Sequence, residues 1–392
     1  MESEPKVSFE DTSVAFAYKS DAELRKANLI FSLVNHPLIS FLATGFLKIA
    51  FMARLPVEGI VKKTAFGHFC GGESIEDSEK AIQLLGQYRI GTILDYSVEG
   101  EKSEAGFEVT MEEILRTLEK ARQSENIPFC VFKVTGLASA ALLEKISQGD
   151  KLSQTETEAF ESVRRRVAKI CERAHAFGVP VLIDAEETSI QGPIDALADE
   201  MMALYNREKA IVYNTYQMYR TDAMENLIGD FQEAVNGQYR IGAKLVRGAY
   251  MEKERKRAAK LNHPSPIHPD KEATDKAFNM ALDFCVENLE RISLMCGSHN
   301  EISNALLTKK MAQKDLLPGD PRIWSAQLYG MSDNISFNLA KAGYNVAKYV
   351  PYGPVRAVMP YLLRRAQENT SVAGQSSREL TMIRKELRRR HG

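Results

Sequence analysis

Residues 345–369, NVAKYVPYGPVRAVMPYLLRRAQEN, join a short apolar run to an amphipathic stretch through a Tyr-Pro-Gly turn. The first part has the composition of a buried strand and the second the spacing of a helix. A spacing of i, i+3, i+4 and i+7 puts four polar side chains on one helix face: Tyr361, Arg364, Arg365 and Glu368. Two guanidinium groups form a fork for a small carboxylate, although an exposed ion pair is the simpler interpretation of this stretch alone.

The same order, an apolar run followed by a helical stretch, recurs along the chain before this point. With the run at 345–353, the strand-like segments number eight: 90–98, 129–136, 179–187, 210–217, 241–250, 292–300, 323–330 and 345–353. Strands that alternate with helices pair in parallel. Eight in succession predict an α/β fold, a distorted (β/α)8 barrel of the TIM type, with an open doubly wound sheet as the alternative.

The chain around the predicted barrel divides into three parts. Residues 1–75 have helical patterns and are expected to pack on the barrel, residues 76–375 form the barrel, and residues 376–392 form a basic C-terminal tail. The charged, proline-bearing segment 251–270 is expected to be a long loop after the fifth strand.

Composition excludes several classes of protein. The chain has 51 basic and 52 acidic residues and a net charge of −1, so no nucleic-acid-binding surface is expected. Five scattered cysteines without a CxxC pair predict a reducing compartment, no disulfide framework and no metal site. The N-terminus resembles neither a signal peptide nor a transit peptide. The apolar segment Leu38–Ala53 is interrupted by Lys48 and is expected to be a buried or surface-docking helix.

Polar side chains collect where the predicted strands end, which is where barrel enzymes carry their chemistry. They are Glu99, Lys133, Asp184, Gln217, Lys244, Arg247, His299, Gln327 and Tyr349. A lone lysine inside an apolar strand, such as Lys133, is costly unless it is paired. No GxGxxG, P-loop, GxSxG or paired-histidine motif is present. The residues alone predict a barrel enzyme for a small carboxylate and leave open whether Lys133 forms a Schiff base or holds a charge for redox chemistry.

Eight motifs in order make the chain similar to the proline dehydrogenase family. They are FGHFCGGE (66–73), ILDYSVEG (93–100), LIDAEET (182–188), TYQMYR (215–220), KLVRGAYMEKE (244–254), SHN (298–300), QLYGM (327–331) and the segment from 349 to 369. The resemblance covers residues 60–370 and implies a barrel that binds FAD. It implies oxidation of L-proline to Δ1-pyrroline-5-carboxylate by hydride transfer to flavin N5, the first step of proline catabolism to glutamate, with electrons passed to ubiquinone or menaquinone.

The resemblance also assigns residues to the substrate. Arg364 and Arg365 would clamp the proline carboxylate, and Glu99 would pair with Arg364 as a gate. Lys133 would touch the carboxylate or the flavin while paired with Asp184. Three side chains would line the pocket for the proline ring: Leu328, Tyr349 and Tyr361. The catalytic set it implies is Lys133, Asp184, Lys244 and Tyr349.

For FAD, the matching positions are Asp184, Ala185, Gln217, Lys244, Val246, Arg247, Gly248, Ala249, Tyr250, Ser298, His299, Gln327 and Glu368. Gly248 is expected because a close approach of the backbone to the cofactor tolerates no side chain. The chain reads Lys244-Leu-Val-Arg247 where many bacterial members have arginine first and lysine last. Because lysine is a point charge and arginine a fork, this exchange leaves the group at flavin N5 open.

Flanking sequence and side-chain size limit the variants of this function. No aldehyde dehydrogenase half or DNA-binding ribbon accompanies the barrel, which favours a monofunctional enzyme. The alternatives are a hydroxyproline dehydrogenase, in which the side chain at the position of Tyr349 is usually smaller, and a non-catalytic barrel scaffold.

The expected location is cytoplasmic, with peripheral contact at a bacterial inner membrane, or mitochondrial if the chain is a trimmed eukaryotic protein. The basic tail and the segment 38–53 are the candidate membrane contacts.

Overall fold

The computed structural model describes residues 7–34, 45, 58–97, 103–371 and 375–391. Within the last two helices, the side chains of residues 365–371 and 375–377 lie outside that description. The apolar segment 38–53 lies outside it as well, except for Gly45. Among the described residues, no helix is long and apolar enough to cross a membrane.

Eight parallel strands close into a barrel in sequence order. They are β1 (Ile90–Tyr96), β2 (Phe129–Lys133), β3 (Val181–Asp184), β4 (Val212–Gln217), β5 (Ile241–Val246), β6 (Ile292–Gly297), β7 (Ile323–Leu328) and β8 (Val346–Tyr352). Every residue of β3, β4 and β8 is buried, as expected for parallel strands covered on both faces. The predicted (β/α)8 fold is confirmed, and the open-sheet alternative is wrong.

Helices precede, separate and follow the strands. They are α1 (Thr12–Ala15), α2 (Asp21–Val34), α3 (Glu58–Val61), α4 (Gly67–Phe69), α5 (Glu79–Gln87), α6 (Glu104–Arg122), α7 (Ala140–Ser147), α8 (Gln154–Phe177), α9 (Thr188–Tyr205), α10 (Ala223–Gly237), α11 (Met251–Leu261), α12 (Lys271–Glu287), α13 (Glu301–Gln313), α14 (Asp333–Lys341), α15 (Val355–Ser371) and α16 (Gln375–His391). A π-helical turn spans Lys62–Phe66, and a 3₁₀ turn spans Val134–Gly136.

The chain forms two compact units, Gly100–Ala326 and the combination of Met1–Glu99 with Gln327–Gly392. We call them the central unit and the terminal unit. In the central unit, the register pairs Lys133 with Asp184 and Thr215 with Lys244. In the terminal unit, β1 pairs with β8 so that Ile93 faces Tyr349.

Apolar side chains from both ends of the chain share one core in the terminal unit. This core joins Phe16, Leu24 and Phe31 near the N-terminus to Val358 of α15 and Ile383 of α16. The last helix, α16, therefore packs against the first helices through buried apolar side chains. The boundaries predicted at residues 75 and 375 stay predictions.

The expected loop at 251–270 is wrong in its first half, which is the helix α11. The sequence of α11 has a weak apolar pattern because polar contacts hold this helix in place. Buried Glu254 accepts a hydrogen bond from the Thr188 backbone N–H at 2.7 Å, and Lys253 pairs with Glu187 at 2.8 Å. The helix ends at Leu261, where Asn262 adopts a left-handed conformation before the proline-bearing remainder.

Candidate functional site

A buried carboxylate in the central unit bonds two lysines. Asp184 is the last residue of β3, and Lys133 is the last residue of β2. Lys133 Nζ donates to Asp184 Oδ2, while Lys244 Nζ of β5 donates to Asp184 Oδ1 at 2.5 Å. The lone strand lysine identified from sequence is thus paired, and the same carboxylate pairs the second lysine.

Burial and charge act in opposite directions on this carboxylate. Asp184 is 8% exposed and Lys244 is 5% exposed. Burial raises the pKa of Asp184, but the ammonium groups of Lys133 and Lys244 outweigh that effect and lower the pKa to about 2. Asp184 is therefore ionised at neutral pH. Lys133 at the end of β2 and Lys244 within β5 both donate to this carboxylate, and an ammonium paired in this way is a poor nucleophile for a Schiff base.

The loop after β3 is fixed by hydrogen bonds from its neighbours. The Glu186 carboxylate accepts from the Thr135 backbone N–H at 3.0 Å and from the Thr135 hydroxyl. Gln217, the last residue of β4, donates from Nε2 to the Glu186 carbonyl at 2.7 Å. Because Ala185 precedes Glu186 in the chain, these bonds from Thr135 and Gln217 also fix the backbone of Ala185.

The Arg247 guanidinium, which follows β5, contacts three partners in the central unit. Its Nε donates to Asp275 Oδ1 at 2.6 Å, and its terminal nitrogens donate to the hydroxyls of Ser298 at 2.8 Å and Ser303 at 2.9 Å. It also lies 4.3 Å from the centroid of the Phe278 ring. Such a set fixes the plane of the guanidinium.

Gly248 is expected to allow a close approach of the backbone to a cofactor, and this reason stays a prediction; the structure adds a second one. The φ of Gly248 is +127°, and a Cβ there would lie 2.5 Å from the Tyr219 ring. A side chain is therefore excluded by backbone conformation and by a tyrosine, with no cofactor required. Of the other cofactor candidates nearby, Val246 ends β5, Tyr250 caps the start of α11, and His299 follows β6. Ala249 lies between Gly248 and Tyr250 in the turn.

The terminal unit holds the remaining candidates whose side chains are described. Tyr349 in β8 and Tyr361 in α15 are 7% and 5% exposed, and Arg364 is half-buried one turn after Tyr361. Leu328 ends β7 and packs at the edge of the terminal-unit core. Gln327 accepts a hydrogen bond from the Ser336 hydroxyl at 2.8 Å.

Three predicted residues cannot be placed by their side chains. Glu99 lies outside the described residues, and the side chains of Arg365 and Glu368 lie outside the described part of α15. The shared face predicted for the arginine pair therefore stays a prediction. So does every functional role assigned to the residues above.

Sequence reasoning missed several polar residues that the structure connects to the candidates. Asp275 and Ser303 hold Arg247 from helices α12 and α13, and sequence spacing offers no signal for such tertiary contacts. Lys348 offered a signal, since it is a lysine inside an apolar strand like Lys133. It is 1% exposed and forms an ion pair with Asp333 at 2.9 Å.

A second polar feature of the central unit lies between α9, β4 and α10. A cavity of about 360 Å³ is lined there by acidic and neutral polar side chains, including Asp195, Asp199, Gln217 and Asp230. Burial, followed by repulsion from Asp230 and Asp195, raises the pKa of Asp199 to about 8. Within the described ranges, no group of three or more histidine, cysteine, aspartate or glutamate side chains is arranged to hold a metal ion.

Comparisons with known proteins agree with this architecture. Residues 78–378 match the family model described as proline dehydrogenase. A carbapenem antibiotics biosynthesis protein, CarD, of Pectobacterium carotovorum subsp. carotovorum is 36% identical over 82% of this chain and 83% of its own length. Mitochondrial proline dehydrogenase 1 of Dictyostelium discoideum is 34% identical over 97% of this chain and 74% of its own length.

A solved structure has the same fold. Proline utilization A from Bdellovibrio bacteriovorus, inactivated by N-propargylglycine, superposes with a TM-score of 0.71 at 20% identity. The match covers 93% of this chain and 37% of that one, so this chain spans about a third of the larger protein.

Proposed function

Since the chain belongs to the proline dehydrogenase family of oxidoreductases, we propose that it oxidises L-proline to Δ1-pyrroline-5-carboxylate with FAD as the electron acceptor. FAD, when bound, takes the hydride from the ring carbon next to nitrogen while the nitrogen loses a proton, which leaves the C=N bond. This is the first step in a catabolic route from proline to glutamate.

The observation that supports this proposal most is the buried bridge from Lys133 through Asp184 to Lys244. It keeps two cations at strand ends of a barrel, where such enzymes carry their chemistry. The second lysine places a further cationic group on the same carboxylate.

The donor set fits a flavin. Lys133 and Lys244 pair with Asp184, and Arg247 pairs with Asp275, so three cationic groups lie in this part of the central unit. A flavin gains negative charge on reduction and carries a diphosphate, and both suit such surroundings. We propose that Lys244 and Arg247 hold the cofactor, together with the other matching positions named from the sequence.

The substrate carboxylate is assigned to the arginines of α15. Arg364 and Arg365 offer bidentate bonds that fix the orientation of a planar anion. Leu328, Tyr349 and Tyr361 supply apolar and aromatic surface suited to a five-membered ring. As the resemblance implies, we assign Glu99 to pairing with Arg364 as a gate over the pocket and Glu368 to the cofactor side of the site.

The size of Tyr349 favours proline over hydroxyproline. Its side chain is 7% exposed, so a ring hydroxyl placed against it has to displace buried atoms. We therefore assign the hydroxylated substrate as the weaker one.

Electron delivery to a membrane quinone requires a surface that meets the lipid. Helices α2 and α16 lie side by side, and Arg384 donates to Asn28 at 3.3 Å. Leu29 and Leu33 of α2 are 59% and 45% exposed. Surfaces that bind anionic lipid peripherally combine exposed apolar side chains with basic ones. We propose this surface, at a bacterial inner membrane or its mitochondrial counterpart, as the place where ubiquinone or menaquinone is reached.

Part of the basic tail is already paired within the terminal unit. Lys385 bonds Glu10 at 3.1 Å, and Arg390 bonds Asp21 at 2.9 Å. The cations assigned to lipid are therefore Arg384 and Arg388. Sedimentation with anionic vesicles should fall when both are replaced by glutamine, while neutral vesicles should bind the two proteins equally. Equal binding to anionic vesicles contradicts the membrane surface without affecting the assignment of proline.

Cofactor content tests the flavin assignment. Purified protein should show oxidised flavin absorbance, and the released cofactor should be FAD. Lys244→Met should lower FAD occupancy, whereas Lys276→Met, a change on α12 outside the candidate site, should leave it unchanged. Protein that contains no flavin and does not take up added FAD contradicts the proposal.

A further inference from the structure

A cluster of buried charged groups lies in the terminal unit, apart from the residues assigned to catalysis. Asp333, the first residue of α14, pairs with Lys348 of β8 at 2.9 Å and with Lys19 at 3.1 Å. Tyr18 donates its hydroxyl to the same carboxylate at 2.7 Å. Lys348, Asp333 and Lys19 are 1%, 2% and 9% exposed. Burying two ammonium groups and a carboxylate costs desolvation free energy unless good geometry and further hydrogen bonds offset it.

The cluster determines the path of the loop Tyr329–Ser332, which joins β7 to α14. Lys348 donates to the carbonyls of Met331 and Leu328, the latter at 3.4 Å. On another side of the loop, His68 contacts the Gly330 carbonyl at 3.1 Å. Burial lowers the pKa of His68 to about 3, so the ring is neutral and donates from Nε2.

The last helix completes the support of this loop. Glu379 of α16 is 6% exposed and accepts a hydrogen bond from the Ser332 backbone N–H. Ser332 caps the start of α14 in a left-handed conformation, with φ of 51°. A residue other than glycine adopts that conformation only when its surroundings impose it.

The loop connects directly to two residues assigned to the substrate ring. Leu328 is the residue that precedes Tyr329, and the Tyr329 N–H donates to the Tyr349 carbonyl at 2.8 Å. A shift of the loop therefore moves Leu328 and releases a bond that orders the strand at Tyr349. Displacements of about 1 Å are enough to alter substrate affinity or rate.

We propose that Glu379 is a positioning residue: through the Ser332 N–H it makes the C-terminal helix a support of the loop that places Leu328 in the substrate pocket. Lys348 supports the same loop from the barrel. The inference rests on the proposed function only for the identity of the ring substrate. Both the ionised and the neutral carboxyl group of Glu379 can accept from Ser332, so glutamine is a conservative replacement and alanine is not.

The test compares three variants in the full chain loaded with FAD. Glu379→Ala removes the acceptor, Glu379→Gln keeps one, and Lys385→Ala breaks a contact of the same helix that does not touch the loop. Two quantities are measured: KM for L-proline, and the dissociation constant of cyclopentanecarboxylate, a ring carboxylate without the amine, by calorimetry. Amide exchange of residues 329–333 gives a local structural readout.

We expect E379A to raise both constants about tenfold, to change kcat less than threefold and to accelerate exchange in the loop. E379Q and K385A should stay within twofold of the unsubstituted protein on every measurement. If E379A does not fold, Glu379→Asp, whose shorter side chain draws the acceptor away from Ser332, replaces it and should raise both constants at least threefold.

Equal constants in E379A and K385A overturn the inference, as does a rise in E379Q equal to that in E379A. Failure of the unsubstituted protein to bind cyclopentanecarboxylate or to oxidise proline contradicts the proposed function instead. Loop exchange is still measured in that event, and unchanged exchange in E379A overturns the positioning role by itself.

Discussion

Replacing Asp184 with asparagine should destabilise the barrel far more than removing an exposed carboxylate. The substitution removes the carboxylate that Lys133 and Lys244 share, and Lys244 is 5% exposed. Lowering the pKa of Asp184 from 3.8 to about 2 corresponds to about 2 kcal/mol of stability at neutral pH. Breaking two ion pairs of a buried carboxylate adds to this loss, so we expect a total decrease of about 3–5 kcal/mol in the free energy of unfolding.

Urea denaturation at pH 7, followed by circular dichroism, measures this loss. The matched control is Glu200→Gln, which breaks the more exposed pair of Glu200 with Arg164 and should cost about 0–1 kcal/mol. The contribution of Asp184 is present above its unfolded pKa near 4 and declines as the pH falls toward 2, so the gap between D184N and the unsubstituted protein should narrow in acid. A D184N protein within about 1 kcal/mol of the unsubstituted protein at pH 7 refutes the account of the bridge.

Three further substitutions test other parts of the site. Asp199→Asn should raise the melting temperature more at pH 8.5 than at pH 5. The pKa of Asp199 is raised to about 8, so the folded state loses stability as the pH rises from about 4 to 8. Equal changes in melting temperature at both pH values contradict this prediction. Arg365→Ala should raise KM for L-proline tenfold or more, since a buried carboxylate loses a partner worth about 2–5 kcal/mol, and a change in kcat/KM below about threefold removes Arg365 from the clamp. Tyr349→Ser should increase the ratio of kcat/KM for trans-4-hydroxy-L-proline to that for L-proline, and an unchanged ratio shows that Tyr349 does not select between the rings.

Most of the fold was predictable because the strands are short apolar runs and most of them are followed by a helix with an apolar face. The segment 251–261 was misassigned because α11 is held by polar bonds, such as Glu254 to Thr188, and lacks an apolar stripe. Its sequence therefore resembles that of the proline-bearing residues that follow it. Helix propensity is a weak guide where tertiary contacts decide.

The candidate site was predictable in part. The cost of burying a lone lysine correctly indicated that Lys133 is paired, and the resemblance supplied Asp184 as its partner. The second bond of Asp184, to Lys244, depends on the register of β3, β4 and β5, which spacing does not reveal. Lys348 carried the same signal as Lys133 and was overlooked. Asp275 had no signal, since its contact with Arg247 joins a helix to a strand end 28 residues earlier.

The central claim is that this barrel passes electrons from L-proline to FAD. Anaerobic mixing of the purified protein with L-proline tests it most directly, followed by absorbance of the oxidised flavin and with trans-4-hydroxy-L-proline measured in parallel. We predict that L-proline bleaches the flavin, that hydroxyproline does so more slowly, and that Δ1-pyrroline-5-carboxylate forms in equal amount to the reduced flavin. A flavin that stays oxidised in saturating L-proline contradicts the account.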